Sequence, residues 1–179
     1  TLRDLLDEVL SGDLANDRAA LLARAAELNP KNPSIGGDNM NESVKVTWLG
    51  HSCFQLTWGD FSLVTDPYAD GKVPGFPPLR VTASAVYCSH SHPDHNAADL
   101  VTLDGVPAPE GFSVEEIQCP HDHHGGKFRG MNIIRVFHFG NLRIVHMGDV
   151  GCPLPEKSLR PLRGCDLLLI PVGGHFTIN

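Results

Sequence analysis

Three histidines and an aspartate fall within six residues, His90-Ser91-His92-Pro93-Asp94-His95, just after the apolar stretch Ala85-Val86-Tyr87-Cys88. Imidazole nitrogen and carboxylate oxygen are donors that first-row metals such as zinc and manganese accept. Two histidines at i and i+2 at a strand end project from a backbone about to turn. Asp94 and His95 can then face a second position close by. A solvated polar turn is the plain alternative for such a run. Two further donors stand at suggestive places. His121 lies in Cys119-Pro-His121-Asp-His-His124-Gly-Gly, between two strand regions, and Asp149 follows His146-Met-Gly. A carboxylate has two oxygens and can bridge two metals, so an Asp after a strand end with an adjacent Gly is a good candidate. Taken alone, His121 would more often be an ordinary loop histidine; the upstream run makes it a ligand candidate.

The elements that must position these donors can be read from periodicity. From Ser43 onward apolar residues alternate with polar ones: Val44, Val46 and Trp48, then Phe54, Leu56 and Trp58, then Phe61, Leu63 and Thr65 after Gly59-Asp60. Gly-Asp between two such runs signals a hairpin. A second hairpin is expected over Ile133–Phe139 and Leu142–Met147, turning at Gly140-Asn141. Ala85–Cys88 and Leu167–Val172 read as buried strands. Ala97–Leu103 is a short helical candidate directly after the histidine run. Asp70–Pro78 and Gly105–Gly111 read as loops. The expectation is a β-rich α/β domain over residues 43–179 with metal ligands at strand ends. Ahead of it, residues 1–28 carry two leucine-rich stripes at helical spacing and read as a helical arm. Residues 29–42, rich in Pro, Gly and Asn, read as a linker. Met40, just before the β pattern, is a candidate natural start.

Composition narrows the classes. The chain has 179 residues, 41% of them hydrophobic, enough to bury a core in one domain with an appendage. A net charge of −7 and the lack of a dense Lys/Arg block argue against nucleic acid as the main partner. No apolar run reaches the length of a membrane span and no signal segment opens the chain. Cys53, Cys88, Cys119, Cys152 and Cys165 are odd in number and free of any C-x-x-C pair. They fit reduced thiols, so the cytoplasm is the expected location.

The ordered segments Leu49-Gly-His51-Ser-Cys-Phe54, Thr65-Asp66-Pro67, His90-x-His92-x-Asp94-His95, His121-Asp-x-x-Gly-Gly, His146-Met-Gly-Asp149 and Pro171-Val-Gly-Gly-x-Phe-Thr-Ile178 resemble the metallo-β-lactamase superfamily. The likeness is to its small cytosolic hydrolases, including ascorbate-phosphate lactonase-like proteins. The resemblance implies an αββα sandwich with metals held in a shallow cleft at one edge of the paired sheets. On that pattern His90, His92 and His121 hold one metal, Asp94 and His95 a second, and Asp149 bridges them. The family normally continues with a helix, a strand and a last metal-binding His. The chain ends at Asn179, so the expected sandwich is incomplete at its C-terminus, and the second position keeps two ligands and the bridge.

Two cations held close together, zinc or alternatively manganese, would turn a shared water into hydroxide near neutral pH. That hydroxide would attack a small ester, lactone or phosphoester, with Asp94 orienting it and receiving its proton. Asp66 and His51 are candidates for orienting the ligand histidines. A turn-initiating carboxylate is an equal alternative for Asp66, and a satisfied core histidine is the plainer one for His51 and His146. His123, His124, Lys127 and Arg129 beside His121 could clamp an anionic group on the substrate; a solvated loop is the alternative. A phosphodiesterase or nuclease would call for a basic groove, which is not apparent. A catalytically silent metal-binding module is the third possibility, and a homo-oligomer is compatible with the helical arm.

Overall fold

The alternation that begins at residue 44 becomes two sheets in the computed structural model, which describes residues 43–173 and 176–178. The helical arm and the linker expected over residues 1–42 lie outside the described residues. Strands β1 (Lys45–Gly50), β2 (Cys53–Trp58) and β3 (Phe61–Thr65) form an antiparallel meander, and β5 (Ala85–Tyr87) adds in parallel to β3. The second sheet has the order β10-β9-β8-β7, where β7 is Phe112–Pro120, β8 Met131–Phe139, β9 Leu142–His146 and β10 Leu167–Leu169. The expected hairpins are β2–β3 and β8–β9. A small parallel pair joins β4 (Val81–Ala83) to β6 (Val101–Leu103).

Strand parity sets three layers of apolar packing. Leu56, Trp58, Phe61 and Leu63 of the first sheet meet Phe137, Phe139 and Ile144 of the second, so the sheets pack face to face. On the outer face of the first sheet, Cys53 and Val64 are covered by Tyr68, Val73, Leu79, Ala83 and Val101. Outside the second, Ile134, Val136 and Val145 are covered by Met147, Val150 and Leu162. The sandwich is thus metallo-β-lactamase-like in its sheets. Its outer layers hold far less helix than αββα implies: among the described residues the α-helical segment is α1 (Glu156–Leu159), followed by a 3-10 turn. Pro74, Pro77 and Pro78 with Gly71 and Gly75 bar a helix across 67–79. Apolar side chains of that segment still cover the sheet.

Two other expectations, for Ala97–Leu103 and for Trp48, are corrected. Ala97–Leu103 is not a helix but a single 3-10 turn, Ala98–Leu100, running into β6. The β-branched Val101 and Thr102 pair in parallel with Val81 and Thr82, and that ladder outweighs weak local helicity. The strand region expected ahead of His121 is the nine-residue β7, which tolerates Glu115 and Glu116 because pairing with β8 leaves one face wet. Trp48 does not point into the core: it is 60% exposed on edge strand β1 and packs edge-on against Phe76.

Strand directions place the donors. β3 and β5 run parallel, β1 shares their direction, and β7 and β9 share one direction in the other sheet. The residues after β1, β3, β5, β7 and β9 therefore gather at one edge. The Ile133 N–H to Ser89 carbonyl bond, at 2.9 Å, ties the two sheets there.

Candidate metal centre

At that edge the segment after β5 supplies His90, His92, Asp94 and His95, the segment after β7 His121, and the segment after β9 Asp149. The nearest donor atoms of His90, His92 and His121 all lie within 4.8 Å of one another, and so do those of His90, His95 and Asp149. Asp149 Oδ2 is 3.4 Å from His95 Nε2 and 3.4 Å from His121 Nε2, equidistant between the two groups. All six expected ligands are thus brought together. His51, in the turn between β1 and β2, joins Asp94 and His95 in a third such set.

Hydrogen bonds decide which ring nitrogen faces the centre. Asp66, fully buried after β3, accepts from the Ser89 N–H at 2.6 Å and the Ser89 hydroxyl at 2.7 Å. The single hydroxyl proton of Ser89 goes to Asp66, so His90 Nδ1–H donates to Ser89 Oγ at 2.9 Å. His95 Nδ1–H donates to Asp66 Oδ2 at 2.8 Å. One carboxylate therefore fixes the orientation of two rings and leaves Nε2 of His90 and His95 toward the centre, the arrangement metal-binding histidines need.

The fit to a cation shows in what is left unpaired. His90 Nε2 and His121 Nδ1 are buried with no hydrogen-bond partner among the described residues. Such orphans cost roughly 1–3 kcal/mol each unless something occupies them. Burial lowers the His90 imidazole to about 4, with His95 adding to the effect, so it stays neutral as a ligand must. Burial also disfavours charge on His95, yet Asp149 and Asp66 beside it push it up to about 10. Asp149, though burial opposes ionisation, is held down at about 2, chiefly by His95. The pair thus forms a buried locus that favours positive charge. Three nitrogens and shared carboxylates suit zinc or manganese.

Asp66 sits where an orienting group must, and its backbone has φ +43°, as His51 has +52°. His51 is not a core histidine. The β1–β2 register shifts between Trp48 and Gly50, and the turn that follows leaves its ring partly exposed beside Asp94. His146 is the satisfied core histidine, 2% exposed, donating from Nε2 to the Ser52 carbonyl at 3.1 Å.

Of the four residues expected to clamp an anion, Arg129 lines the cleft beside Asp94 and Asp149, its guanidinium 3.6 Å from the Phe176 ring centre. His123, His124 and Lys127 are exposed and do not line it. Asp122 is the reason. Its carboxylate accepts from the N–H groups of His124, Gly126, Phe128 and Arg129 at 2.7–3.0 Å, winding the loop around itself. Desolvation works against its ionisation, but these four donors hold the carboxyl far below the usual carboxylate range. Asp122→Ala is expected to open residues 123–129 to protease. It should also weaken metal binding about 10–100-fold through its neighbour His121, as loss of a supporting residue does. Metal affinity unchanged in a nicked loop would refute that link.

Ser89, Asp122 and Asn132 carry structural roles that the sequence reading did not assign. Asn132, fully buried on β8, accepts the Asp149 N–H at 2.9 Å and donates to the Met147 carbonyl at 2.9 Å, which aims Asp149. Asn132 beside the apolar pair Ile133-Ile134 was the available signal. Between them Gly148 has φ +54°, and a Cβ there would overlap Asn132 and Ser89, so only glycine fits.

The cleft over these residues has a volume of 390 Å³ and is lined by His51, Asp94, Arg129, Asp149, Val172 and Phe176 among others. The family pattern described as the β-lactamase superfamily domain matches residues 45–179. The chain is similar to a metal-dependent hydrolase of Korarchaeum cryptofilum, 28% identical over 166 residues that cover 76% of this chain and 73% of that protein. It is equally similar to one of Thermus thermophilus, 28% identical over 171 residues covering 76% and 74%. Among solved structures it resembles a Thermotoga maritima protein described as a Zn-dependent hydrolase of the metallo-β-lactamase superfamily. There the TM-score is 0.55 and the identity 29%, covering 76% of this chain and 66% of that one. With three quarters of its length matched and the donors gathered at one sandwich edge, the chain belongs to the metallo-β-lactamase superfamily.

Proposed function

We propose that this metal-dependent hydrolase cleaves a small ester, lactone or phosphoester with two metal ions, zinc or alternatively manganese. His90, His92 and His121 would hold the first ion, Asp94 and His95 would take part in holding the second, and Asp149 would serve both. The observation that carries the reading is the Asp149 carboxylate, 3.4 Å from a histidine of each group. When bound, the metals supply water activation near neutral pH and polarise the oxygen under attack. The protein's own groups do the rest. Asp66 and Ser89 hold the imidazoles of His95 and His90 in one tautomer, so no reorientation is needed during turnover. Asp94 opens onto the cleft with its side chain 39% exposed, where it could take the proton of a water held there. Arg129, braced by Phe176, faces the same cleft as the group for an anionic part of the substrate.

The test is a screen of lactones, phosphoesters, carboxylic esters and thioesters with protein of measured metal content. Chelation should abolish turnover and metal return should restore it. Asp94→Asn should lower kcat by roughly 10²–10⁴-fold, the range for loss of a general base. Turnover that survives chelation, or an Asp94→Asn variant at full rate with metals bound, would defeat the reading.

A further inference from the structure

His51 stands closer to the second metal position than an orienting residue needs to. Its Nε2 is 3.1 Å from His95 Nε2 and 3.5 Å from Asp94 Oδ2, while His95 Nε2 is 3.8 Å from Asp94 Oδ2 and 3.4 Å from Asp149 Oδ2. Ligands about 2.0–2.1 Å from a four-coordinate zinc are separated by about 3.3 Å from one another. The separations observed here bracket that value. We propose that His51 is a direct ligand of the second metal position, completing a set with Asp94 and His95 alongside the shared Asp149. This assignment rests on the proposed two-metal reading of the centre.

The turn that carries His51 is built to hold it there. His51 adopts φ +52°, a left-handed conformation uncommon for a residue with a side chain, and such conformations persist where the surroundings impose them. Here the surroundings do. The Trp48 indole N–H donates to the His51 carbonyl at 2.9 Å. Gly50, at φ +121°, lies against the Phe76 ring so closely that a Cβ would overlap it. Trp48 meets that same ring edge-on at 5.5 Å between centres. Tyr68, buried behind it, donates through a shared hydroxyl to the Leu49 and Pro77 carbonyls at 3.1 and 3.2 Å. The exposure of Trp48, unexplained by core packing, follows from this role as a brace outside the turn.

The competing arrangement is a hydrogen bond from His51 to His95, with no metal contact. His95 Nδ1–H is committed to Asp66, so Nε2 is the atom through which His95 would meet either His51 or a cation. The two arrangements make different predictions for metal binding. Cobalt(II) and zinc are titrated into the whole chain and into His51→Asn, which keeps a residue tolerant of the left-handed backbone but lacks Nε2. A Trp48→Phe variant removes the indole bond and leaves every donor in place.

The unaltered protein is expected to bind two equivalents. In His51→Asn the first should bind with unchanged Kd. The second should weaken at least about 100-fold, beyond the roughly 10–100-fold that loss of a supporting residue causes. The visible absorption of the second cobalt should also change, reporting an altered ligand set. Trp48→Phe should weaken only the second equivalent, and by less. Two equivalents bound by His51→Asn with the original affinity and spectrum would overturn the assignment and leave the two-metal reading standing. One equivalent or none in the unaltered protein would overturn the two-metal reading and the assignment with it.

Discussion

Replacing His90 and His92 together by alanine is expected to abolish metal loading at the three-histidine position and to reduce hydrolysis to that of metal-free protein. The two rings supply two of the three nitrogens that converge there, and His121 alone cannot retain a cation. The metal-free fold loses little with the two rings: His90 makes one hydrogen bond, to Ser89 Oγ, while its Nε2 has no partner among the described residues, and His92 is only half-buried. In chelator the double variant should therefore unfold close to where the parent does. With metal present the parent alone should gain stability, by about 2.7 kcal/mol at a free metal concentration 100 times its Kd. Elemental analysis after dialysis, paired with thermal melts with and without metal, checks both halves. Unchanged stoichiometry in the double variant would move the first site elsewhere.

The cluster of candidate donors was legible because its members are polar and fixed in spacing just where apolar strands stop. A run such as His90 to His95 after Ala85–Tyr87 is too polar to continue an apolar strand, and a strand end is where the backbone can turn several donors toward one point. The two hairpins were legible from period-two alternation and Gly turns. What escaped was tertiary in origin. Ala97–Leu103 has local helical character, yet the partner strand Val81–Ala83 captures its second half. Trp48 satisfies the alternation, but an edge strand has one neighbour, and its outward ring serves the turn instead. His51 looks like a strand-end core histidine until the register shift before Gly50 turns its ring toward Asp94. The cationic loop failed as a group for a reason visible only in three dimensions. Asp122 gathers four backbone N–H groups and leaves Arg129 alone on the cleft. Hydrogen-bond networks of that kind join residues close in sequence through geometry that composition does not encode.

Asp66→Ala should be the most damaging single substitution at the centre, although Asp66 is not a ligand. Its carboxylate is fully buried and receives the Ser89 N–H, the Ser89 hydroxyl and His95 Nδ1–H, with His146 Nε2 a further 3.9 Å away. Truncation leaves three buried donors unpaired and a histidine without its counter-charge, a change that typically costs about 3–5 kcal/mol. It also frees the rings of His95 and, through Ser89, His90, so both metal positions should weaken by at least the roughly 10–100-fold seen when an orienting carboxylate is lost. The pH dependence carries its own sign. Burial would raise the Asp66 carboxyl, but His146, His95 and Ser89 outweigh it and hold the folded-state value below the ordinary one. The stabilisation from Asp66 is therefore present above its unfolded value of about 3.9 and is lost as pH falls through the lower folded value. Denaturant unfolding of parent and variant in chelator, from about pH 7 down to about pH 3, should show a wide gap near neutrality that narrows on the acid side. A gap constant across that range would mean the carboxylate's charge is not what stabilises the edge. A variant as stable as its parent at neutral pH would remove Asp66 from the centre's support altogether.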